Sequence, residues 1–228
     1  MIKLLISYAL VLSSLAPLRS GPSYSAEQET QLLFGETCCV EQYQQGGWYR
    51  VVNDYDGYEG WVGTSMITLI SQEQYEEYKE GDFTAVVRSP YTSACNTRTN
   101  QLIPLTAGTR LRNYKDGQFE ILGDIYTIDP SAVLEKPLPL THDNLLLLAS
   151  PLLNVPYVWG GKSPSGFDCS GFVYYIYRQC GYSITRTATS QNSDGYYVSR
   201  SELQPGDIII FYNSAKTAIG HAGMYIGN

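Results

Sequence analysis

The segment from Gly166 to Gly181 constrains the fold of this chain more than any other part of the sequence. It has the sequence GFDCSGFVYYIYRQCG. Its apolar positions recur with the spacing of an α-helix: Phe172, Val173, Ile176 and Cys180. Asp168 can cap such a helix and Gly181 can end it. The segment therefore predicts a helix whose first residue is Cys169.

A cysteine at the start of a helix lies at the positive end of the helix dipole, which stabilises the thiolate over the thiol. Most helical cysteines are inert and buried, but the helix start and the flanking glycines favour a reactive thiol at Cys169. Cys180 lies roughly 16 Å further along this helix, at about 1.5 Å per residue. A disulfide needs Cα atoms within about 7 Å, so these two cysteines cannot pair. The sequence leaves open whether Cys38 or Cys39 pairs with Cys95.

A thiol nucleophile needs a base within hydrogen-bond reach, and the chain has two histidines. His142 precedes an apolar helical run and is interpreted as a surface or capping residue. His221 belongs to the sequence GHAGMYIG, where apolar and other residues alternate, so a strand can present His221 to a cleft. The preceding LQPGDIIIF predicts a neighbouring strand at 207–211. A helix that carries the cysteine and a sheet that carries the histidine form a papain-type arrangement.

The composition limits the class of protein. Hydrophobic residues make up 43% and charged residues 16% of the 228 positions, which is typical of a globular protein rather than a disordered one. The formal net charge is −7, so the basic footprint of a nucleic-acid-binding protein is absent. Two histidines and no C-x-x-C pair make zinc a poor candidate, and we expect no metal or cofactor.

The N-terminus predicts an export signal. A lysine near the start precedes an apolar run from Leu4 to Leu15, which has the length of a signal-peptide core and is too short to span a bilayer comfortably. Small residues at Ser23 and Ser25 fit a cleavage site. We therefore expect residues 1–25 to be a signal peptide and the protein to be exported to the periplasm or cell envelope.

Two β-rich regions are expected between this signal and the C-terminal domain. In residues 26–70, the strands at 48–52 and 60–62 form a hairpin, and the segments TQLLFGE, GGWYRVV and DGYEGWV resemble bacterial SH3-like domains. Residues 71–81 predict an exposed spacer helix capped by a serine. Strand-like spacing then returns in residues 82–129, interpreted as a second SH3-like barrel. A proline-containing linker over 130–141 leads to the domain at 142–228.

The C-terminal domain resembles the NlpC-type papain-like peptidases of bacterial cell walls. The resemblance rests on PYVWGG, GFDCSGFV, TRTATSQ, LQPGDIIIF and GHAGMYIGN, which occur in the family's order. It implies an α+β fold and a cysteine endopeptidase that cuts between γ-D-glutamate and the diamino acid of murein stem peptides. It makes Cys169 the nucleophile, His221 the base and Tyr157 a donor to the oxyanion. Asp168 and Ser170 are expected to bind the substrate backbone and its free amine.

Further expectations come from the same resemblance. Arg186 matches an arginine that meets the D-glutamate carboxylate. Glu36 and Tyr58, in the first SH3-like domain, are the candidates to contact an N-terminal L-alanine. A third polar catalytic residue is expected about a dozen residues after His221, beyond residue 228, so the catalytic domain is interpreted as C-terminally incomplete.

Two alternatives remain from the sequence. A CHAP-type cell-wall amidase or endopeptidase also combines a helix-terminal cysteine with a strand histidine, although the PYVWGG and LQPGDIIIF pair disfavours it. A non-catalytic protein could instead bind the wall through its SH3-like domains, although the presence of both Cys169 and His221 argues against this.

Overall fold

The computed structural model describes residues 7–79 and 85–227. The chain divides into two compact units, Met1–Lys136 and Pro137–Asn228. Among the described residues, no helix combines the length and the apolar character that crossing a bilayer requires.

The first β region forms one antiparallel seven-stranded sheet in the order β3-β2-β6-β5-β4-β1-β7. Its strands are β1 (Ser7–Val11), β2 (Leu15–Arg19), β3 (Gln28–Leu33), β4 (Thr37–Gln44), β5 (Trp48–Asn53), β6 (Glu59–Gly63) and β7 (Ile67–Ile70). A 3-10 turn, Thr64–Met66, precedes β7. The predicted hairpin corresponds to β5 and β6, which pair antiparallel as expected. Alternating apolar residues of these strands meet in a buried core.

In this structure the described part of residues 1–25, the segment predicted as a cleaved signal peptide, belongs to the first sheet. β1 lies between β4 and β7, and β2 pairs with both β3 and β6. The side chains of Leu10 and Leu18 are completely buried. A buried β-strand and the core of a signal peptide both require a short apolar segment, so the same sequence criteria fit either one. The first β region therefore begins before residue 26.

The segment predicted as an exposed spacer forms α1 (Gln72–Lys79), and this helix is partly buried. Ser71 caps it, as predicted, since its hydroxyl accepts from the Gln74 N–H at 3.2 Å. Tyr75 is 2% exposed and its ring stacks on Tyr8, with ring centroids 3.8 Å apart. The helix is thus anchored on the first β region rather than standing free. The predicted end of this segment, residue 81, lies outside the described residues.

The second β region contains a four-stranded sheet, β10-β9-β13-β12, and a three-stranded sheet, β11-β8-β14. The strands are β8 (Ala85–Val87), β9 (Tyr91–Asn96), β10 (Leu102–Thr106), β11 (Arg110–Leu111), β12 (Gln118–Ile121), β13 (Asp124–Thr127) and β14 (Val133–Leu134). β14 follows the 3-10 turn Pro130–Ala132 and pairs with β8, so part of the predicted linker belongs to this region. Leu10 and Phe34 of the first β region pack into its core.

The second unit has three helices and two pairs of strands among the residues that the structure describes. They are α2 (His142–Ala149), β15 (Lys162–Ser163), β16 (Gly166–Phe167), α3 (Cys169–Gln179), α4 (Ala188–Gln191), β17 (Ile208–Tyr212) and β18 (Ile219–Met224), with 3-10 turns at Ser150–Leu152 and Arg200–Glu202. Most of α3 is buried, and it packs against β18. This confirms the predicted arrangement of a cysteine helix against the histidine strand.

His142 is partly exposed at the start of α2, in line with its interpretation as a surface or capping residue. The helix is capped by Thr141, whose hydroxyl accepts from the Asn144 N–H at 3.4 Å. The His142 ring donates from Nδ1 to the Ile226 carbonyl, so it contacts the chain just beyond β18. His142 therefore does not compete with His221 for a catalytic role.

Candidate active site

Cys169 is the first residue of α3 and is partly exposed. Asp168 caps the helix, because its Oδ1 accepts from the Gly171 N–H at 2.7 Å. The sulfur thus lies at the helix N-terminus, where the helix dipole favours a thiolate. The local structure that the sequence predicted around the nucleophile is confirmed.

Three close backbone approaches hold the start of α3 in place. A Cβ on Gly171 would overlap the Gly161 carbonyl oxygen, and a Cβ on Gly161 would overlap the Gly166 carbonyl oxygen. The Asp168 N–H donates to the Gly161 carbonyl at 3.0 Å, and the Gly160 N–H donates to Asp168 Oδ2 at 2.9 Å. The glycines of PYVWGG and GFDCSG therefore allow two backbone segments to touch directly beside Cys169.

His221 lies on β18, opposite Phe211 of β17. Its ring lies 5.6 Å from that of Phe211, measured between centroids. His221, Cys169 and Tyr157 line the same groove, which has a volume of about 350 Å³. Its other walls are mainly apolar and come from α2, α3 and β18. The structure thus brings the predicted nucleophile and base to one concave site.

Within the described residues, no side chain hydrogen-bonds to the His221 imidazole. In Cys–His peptidases a third polar group commonly orients the imidazole. The expected third catalytic residue, beyond residue 228, stays a prediction.

Tyr157 lines the same groove as Cys169, and 63% of the tyrosine is exposed. Desolvation of the hydroxyl, followed by the charges of Cys169 and Asp168, raises the pKa of Tyr157 above its usual value. The phenol therefore stays protonated at neutral pH and can donate a hydrogen bond. This is the property that an oxyanion donor needs.

Asp168, Ser170 and Arg186 form a buried cluster beside Cys169. The Arg186 guanidinium donates to Asp168 Oδ2 at 2.6 Å and to Oδ1 at 3.0 Å, and it also donates to the Ser170 hydroxyl at 3.0 Å. Arg186 is 2% exposed. A bidentate pair of this kind is strong and directional. The predicted residues are thus brought together, but Arg186 faces Asp168 rather than the open groove, and its contact with a substrate carboxylate stays a prediction.

Glu36 and Tyr58 have structural roles in the first β region. Glu36 is 1% exposed, and its Oε2 accepts from the Leu33 N–H at 3.1 Å and from the Asn53 amide at 3.3 Å. The Tyr58 hydroxyl donates to Glu29 at 2.7 Å. These bonds explain both residues as parts of the β region, and their predicted contact with substrate stays a prediction.

None of the five cysteines forms a disulfide. Cys169 and Cys180 lie at opposite ends of α3, as the helical spacing predicted. The pairing of Cys38 or Cys39 with Cys95 that the sequence left open is not formed in this structure. Among the described residues, no group of three or more His, Cys, Asp or Glu side chains could hold a metal ion.

Sequence reasoning assigned no role to Gln191, although it lies in the TRTATSQ motif. Gln191 is 3% exposed and its amide donates to two backbone carbonyls, those of Ser170 and Thr185. Its contact with Ser170 crosses 21 positions of sequence. No local pattern reveals such a contact, and only the motif's recurrence in the family could have drawn attention to it.

Comparison with known proteins agrees with this geometry. Residues 154–228 match the model of the NlpC/P60 family, and residues 18–67 match that of the bacterial dipeptidyl-peptidase Sh3 domain. A gamma-D-glutamyl-L-lysine dipeptidyl-peptidase of Bacillus subtilis (strain 168) is 31% identical over 212 residues, which cover 87% of this chain and 69% of that protein. The chain belongs to the NlpC/P60 family of peptidases.

Other NlpC/P60 relatives extend the comparison to most of the chain. A second gamma-D-glutamyl-L-lysine dipeptidyl-peptidase, from Bacillus cereus, is 28% identical over 88% of this chain and 65% of its own length. The crystal structure of an NlpC/P60 family protein from Bacillus cereus has a TM-score of 0.83 and 24% identity, and covers 97% of this chain and 88% of that one. This structural likeness shows the fold. The Sh3 match begins at residue 18, inside β2, so it includes residues of the segment that was predicted to be a leader.

Proposed function

We propose that this protein is a cysteine endopeptidase that hydrolyses the γ-D-glutamyl–diamino acid amide bond of murein stem peptides. The observation that carries the proposal is the shared groove, which is lined by Cys169 at a helix N-terminus, by His221 and by Tyr157. The activity that names both curated relatives supports this choice of bond.

The reaction follows from the chemistry of the three side chains. His221 accepts the thiol proton, and the Cys169 sulfur attacks the γ-glutamyl carbonyl to form a tetrahedral intermediate. Tyr157 and a backbone N–H at the helix start donate to its oxyanion. The C–N bond then breaks as His221 delivers its proton to the leaving amine. His221 then deprotonates a water molecule, which attacks the thioester. The product leaves with a free γ-carboxylate, and the Cys169 thiol is regenerated with the proton from His221.

A free N-terminal L-alanine on the substrate is part of this proposal. Asp168 lines the groove, and its carboxylate, which Arg186 already pairs and holds in position, would accept one further charge-assisted hydrogen bond from a substrate ammonium. A site that pairs a carboxylate with an ammonium disfavours an acylated substrate, because acylation removes the charge and leaves the carboxylate partly desolvated.

The test uses the purified full chain with the tripeptide L-Ala-γ-D-Glu-L-Lys and with its meso-diaminopimelate counterpart. Mass spectrometry should detect L-Ala-D-Glu and the free diamino acid, and the N-acetylated tripeptide should be cleaved more slowly. The variant Cys169→Ala should lose at least about a thousandfold in rate, as expected when a nucleophile is removed. Wild-type rates in this variant would refute the assignment.

A parallel experiment with purified cell-wall sacculi separates the alternatives. Release of intact stem peptide from glycan, without cleavage after D-glutamate, would indicate a CHAP-type amidase. Retention of the protein on cell-wall sacculi with no cleaved product would indicate a wall-binding protein. Neither alternative has a specific observation in its favour.

We further propose that the protein acts in the cell envelope and that its second β region is a second SH3-like domain. With the apolar N-terminal run folded into a sheet, the proposed location rests on where murein is found. The domain proposal rests on the two small sheets of residues 85–134 around one core. Fractionation of cells with an antibody against the protein tests the location, and a solved structure of the region tests the domain.

A further inference from the structure

Gln191, the last residue of α4, links two segments that flank the reactive groups. Its Nε2 donates to the carbonyl of Ser170 at 3.0 Å and to the carbonyl of Thr185 at 3.0 Å. Ser170 immediately follows the nucleophile, and Thr185 immediately precedes Arg186. One buried amide therefore joins the first turn of α3 to the segment that carries the arginine.

The orientation of this amide is fixed by its partners. Both partners are carbonyl oxygens, which only accept, so only the NH₂ group of Gln191 can face them. The Gln191 Oε1 is buried and, among the described residues, has no hydrogen-bond partner. An unsatisfied buried acceptor destabilises the folded state. An apolar side chain of the same shape would avoid this destabilisation. The two hydrogen bonds that Gln191 donates are the stabilising interactions that offset it.

We propose that Gln191 is a positioning residue that keeps Arg186 on Asp168 and thereby sets the charge beside Cys169. The Arg186 guanidinium donates to both carboxylate oxygens of Asp168, and Gln191 ties the adjacent Thr185 carbonyl to Ser170 of α3. With the arginine displaced, the Asp168 carboxylate next to the sulfur is uncompensated and disfavours a thiolate. This inference rests on the proposed function only in taking Cys169 as the reactive thiol.

The experiment measures the reactivity of Cys169 directly. The full chain, as wild type and as Gln191→Met, is alkylated with iodoacetamide over a range of pH, and the rate at each cysteine is obtained by peptide mass spectrometry. Methionine keeps the length of the side chain and removes both donated bonds. We expect alkylation of Cys169 at pH 7 to slow by roughly three- to tenfold, with its half-maximal rate at a higher pH. Asn192→Ala, an exposed change at the next position, is the matched control and should behave as wild type.

Cys180 provides an internal test for simple unfolding. It lies at the other end of α3, is 4% exposed, and should stay unreactive in every variant if the helix and its core are intact. A changed pH profile at Cys169 with a protected Cys180 supports the proposal. An unchanged profile at Cys169 overturns it. Loss of protection at Cys180 in Gln191→Met also overturns it, because the glutamine would then be a general structural residue.

Hydrolysis of the tripeptide gives a second, separable measurement. If the proposed function holds, kcat of Gln191→Met should fall by roughly the same factor as the alkylation rate, with KM changing less. If the wild-type chain cleaves no murein peptide, the proposed function fails, while the alkylation comparison still decides the role of Gln191.

Discussion

At the scale of single residues, the site depends on which groups stay protonated near neutral pH. The raised pKa of Tyr157 keeps its hydroxyl a donor, and the donor lies where charge develops in the proposed reaction. Both oxygens of Asp168 accept hydrogen bonds from the Arg186 guanidinium. The sulfur of Cys169 thus has a neutral donor on one side and a compensated ion pair on the other.

Replacement of Tyr157 by phenylalanine should lower kcat by about 10²- to 10³-fold, because it removes one donor to the oxyanion. KM should change little, since the oxyanion exists only in the transition state and the intermediate. Steady-state kinetics on the tripeptide check this. The control is Tyr196→Phe, at a residue that is 89% exposed in the same unit. Equal losses in the two variants would contradict a role for the Tyr157 hydroxyl.

Cys180 gives a prediction for the stability of the catalytic unit at alkaline pH. Burial raises the pKa of the Cys180 thiol from 9.0 to about 11. Because the unfolded thiol ionises first, its contribution to stability is fully present below pH 9 and is lost between pH 9 and about 11. Two pKa units correspond to at most about 3 kcal/mol of unfolding free energy.

The measurement is chemical denaturation of the wild type and of Cys180→Val at several pH values. Other groups also titrate in this range, so the difference between the two proteins is the informative quantity. The wild type should lose more stability than the variant from pH 8 to 11. Parallel curves for the two proteins would contradict the assignment to Cys180.

At the scale of elements, α3 is held where it is by backbone contact rather than by side chains alone. The turn that contains Gly161 touches the first turn of α3 at Gly171, and no side chain fits between them. Helix α1 shows the opposite case, since the side chain of Tyr75 anchors it by stacking on Tyr8 and by donating to Asp54 at 2.8 Å. The charged sequence of α1 therefore gives no indication that one of its residues, Tyr75, is buried.

The change Gly171→Ala should destabilise the catalytic unit by about 1–3 kcal/mol or more, because the added methyl group overlaps a backbone oxygen that has little freedom to move. Peptidase activity should fall as well, since the displaced helix carries Cys169. Thermal unfolding and tripeptide hydrolysis measure the two effects. Gly195→Ala, where a Cβ would meet no atom within 4 Å, should leave both quantities near their wild-type values. Comparable losses in the two variants would refute the close approach.

At the scale of the whole molecule, the strands at the N-terminus are the part of the fold that differs most from the sequence prediction. β1 and β2 supply two of the seven strands of the first sheet. Their buried apolar residues belong to the cores of both β regions, because Leu10 packs with the second one and Leu18 with the first. A folded N-terminal unit therefore needs residues that the sequence pattern assigned to a cleaved leader.

A charge placed in β2 tests whether the folded N-terminal unit needs this strand. Leu18→Asp should unfold the first β region, since an unpaired buried carboxylate costs several kcal/mol. Limited proteolysis and circular dichroism report the loss. Leu102→Asp, on a side chain that is 66% exposed, is the control and should be tolerated. If the Leu18→Asp protein is as stable as the wild type, and its intact mass shows that the mature chain starts at Ala26, the result would support the signal-peptide interpretation.

Much of the catalytic unit could be predicted from sequence because its signals are local. The cap at Asp168, the helix that starts at Cys169 and the alternation around His221 each depend on neighbours within a few positions. The environment of Arg186 could not be predicted in this way. Its partner Asp168 is 18 residues away, and a family match says which residue type is present, not whether its charge is already neutralised.

The sequence by itself determined the helix-terminal thiol, the strand histidine and the family they indicate, because periodicity, capping and motif spacing are properties of short stretches of chain. Only the tertiary structure decided that the apolar N-terminal run forms two strands, that Arg186 is paired within the protein, and that Gln191 joins the two halves of the site. Each of these depends on contacts between segments that are distant in the sequence. The structural role of an apolar run or of a buried polar residue therefore cannot be assigned until its contacts in the folded protein are known.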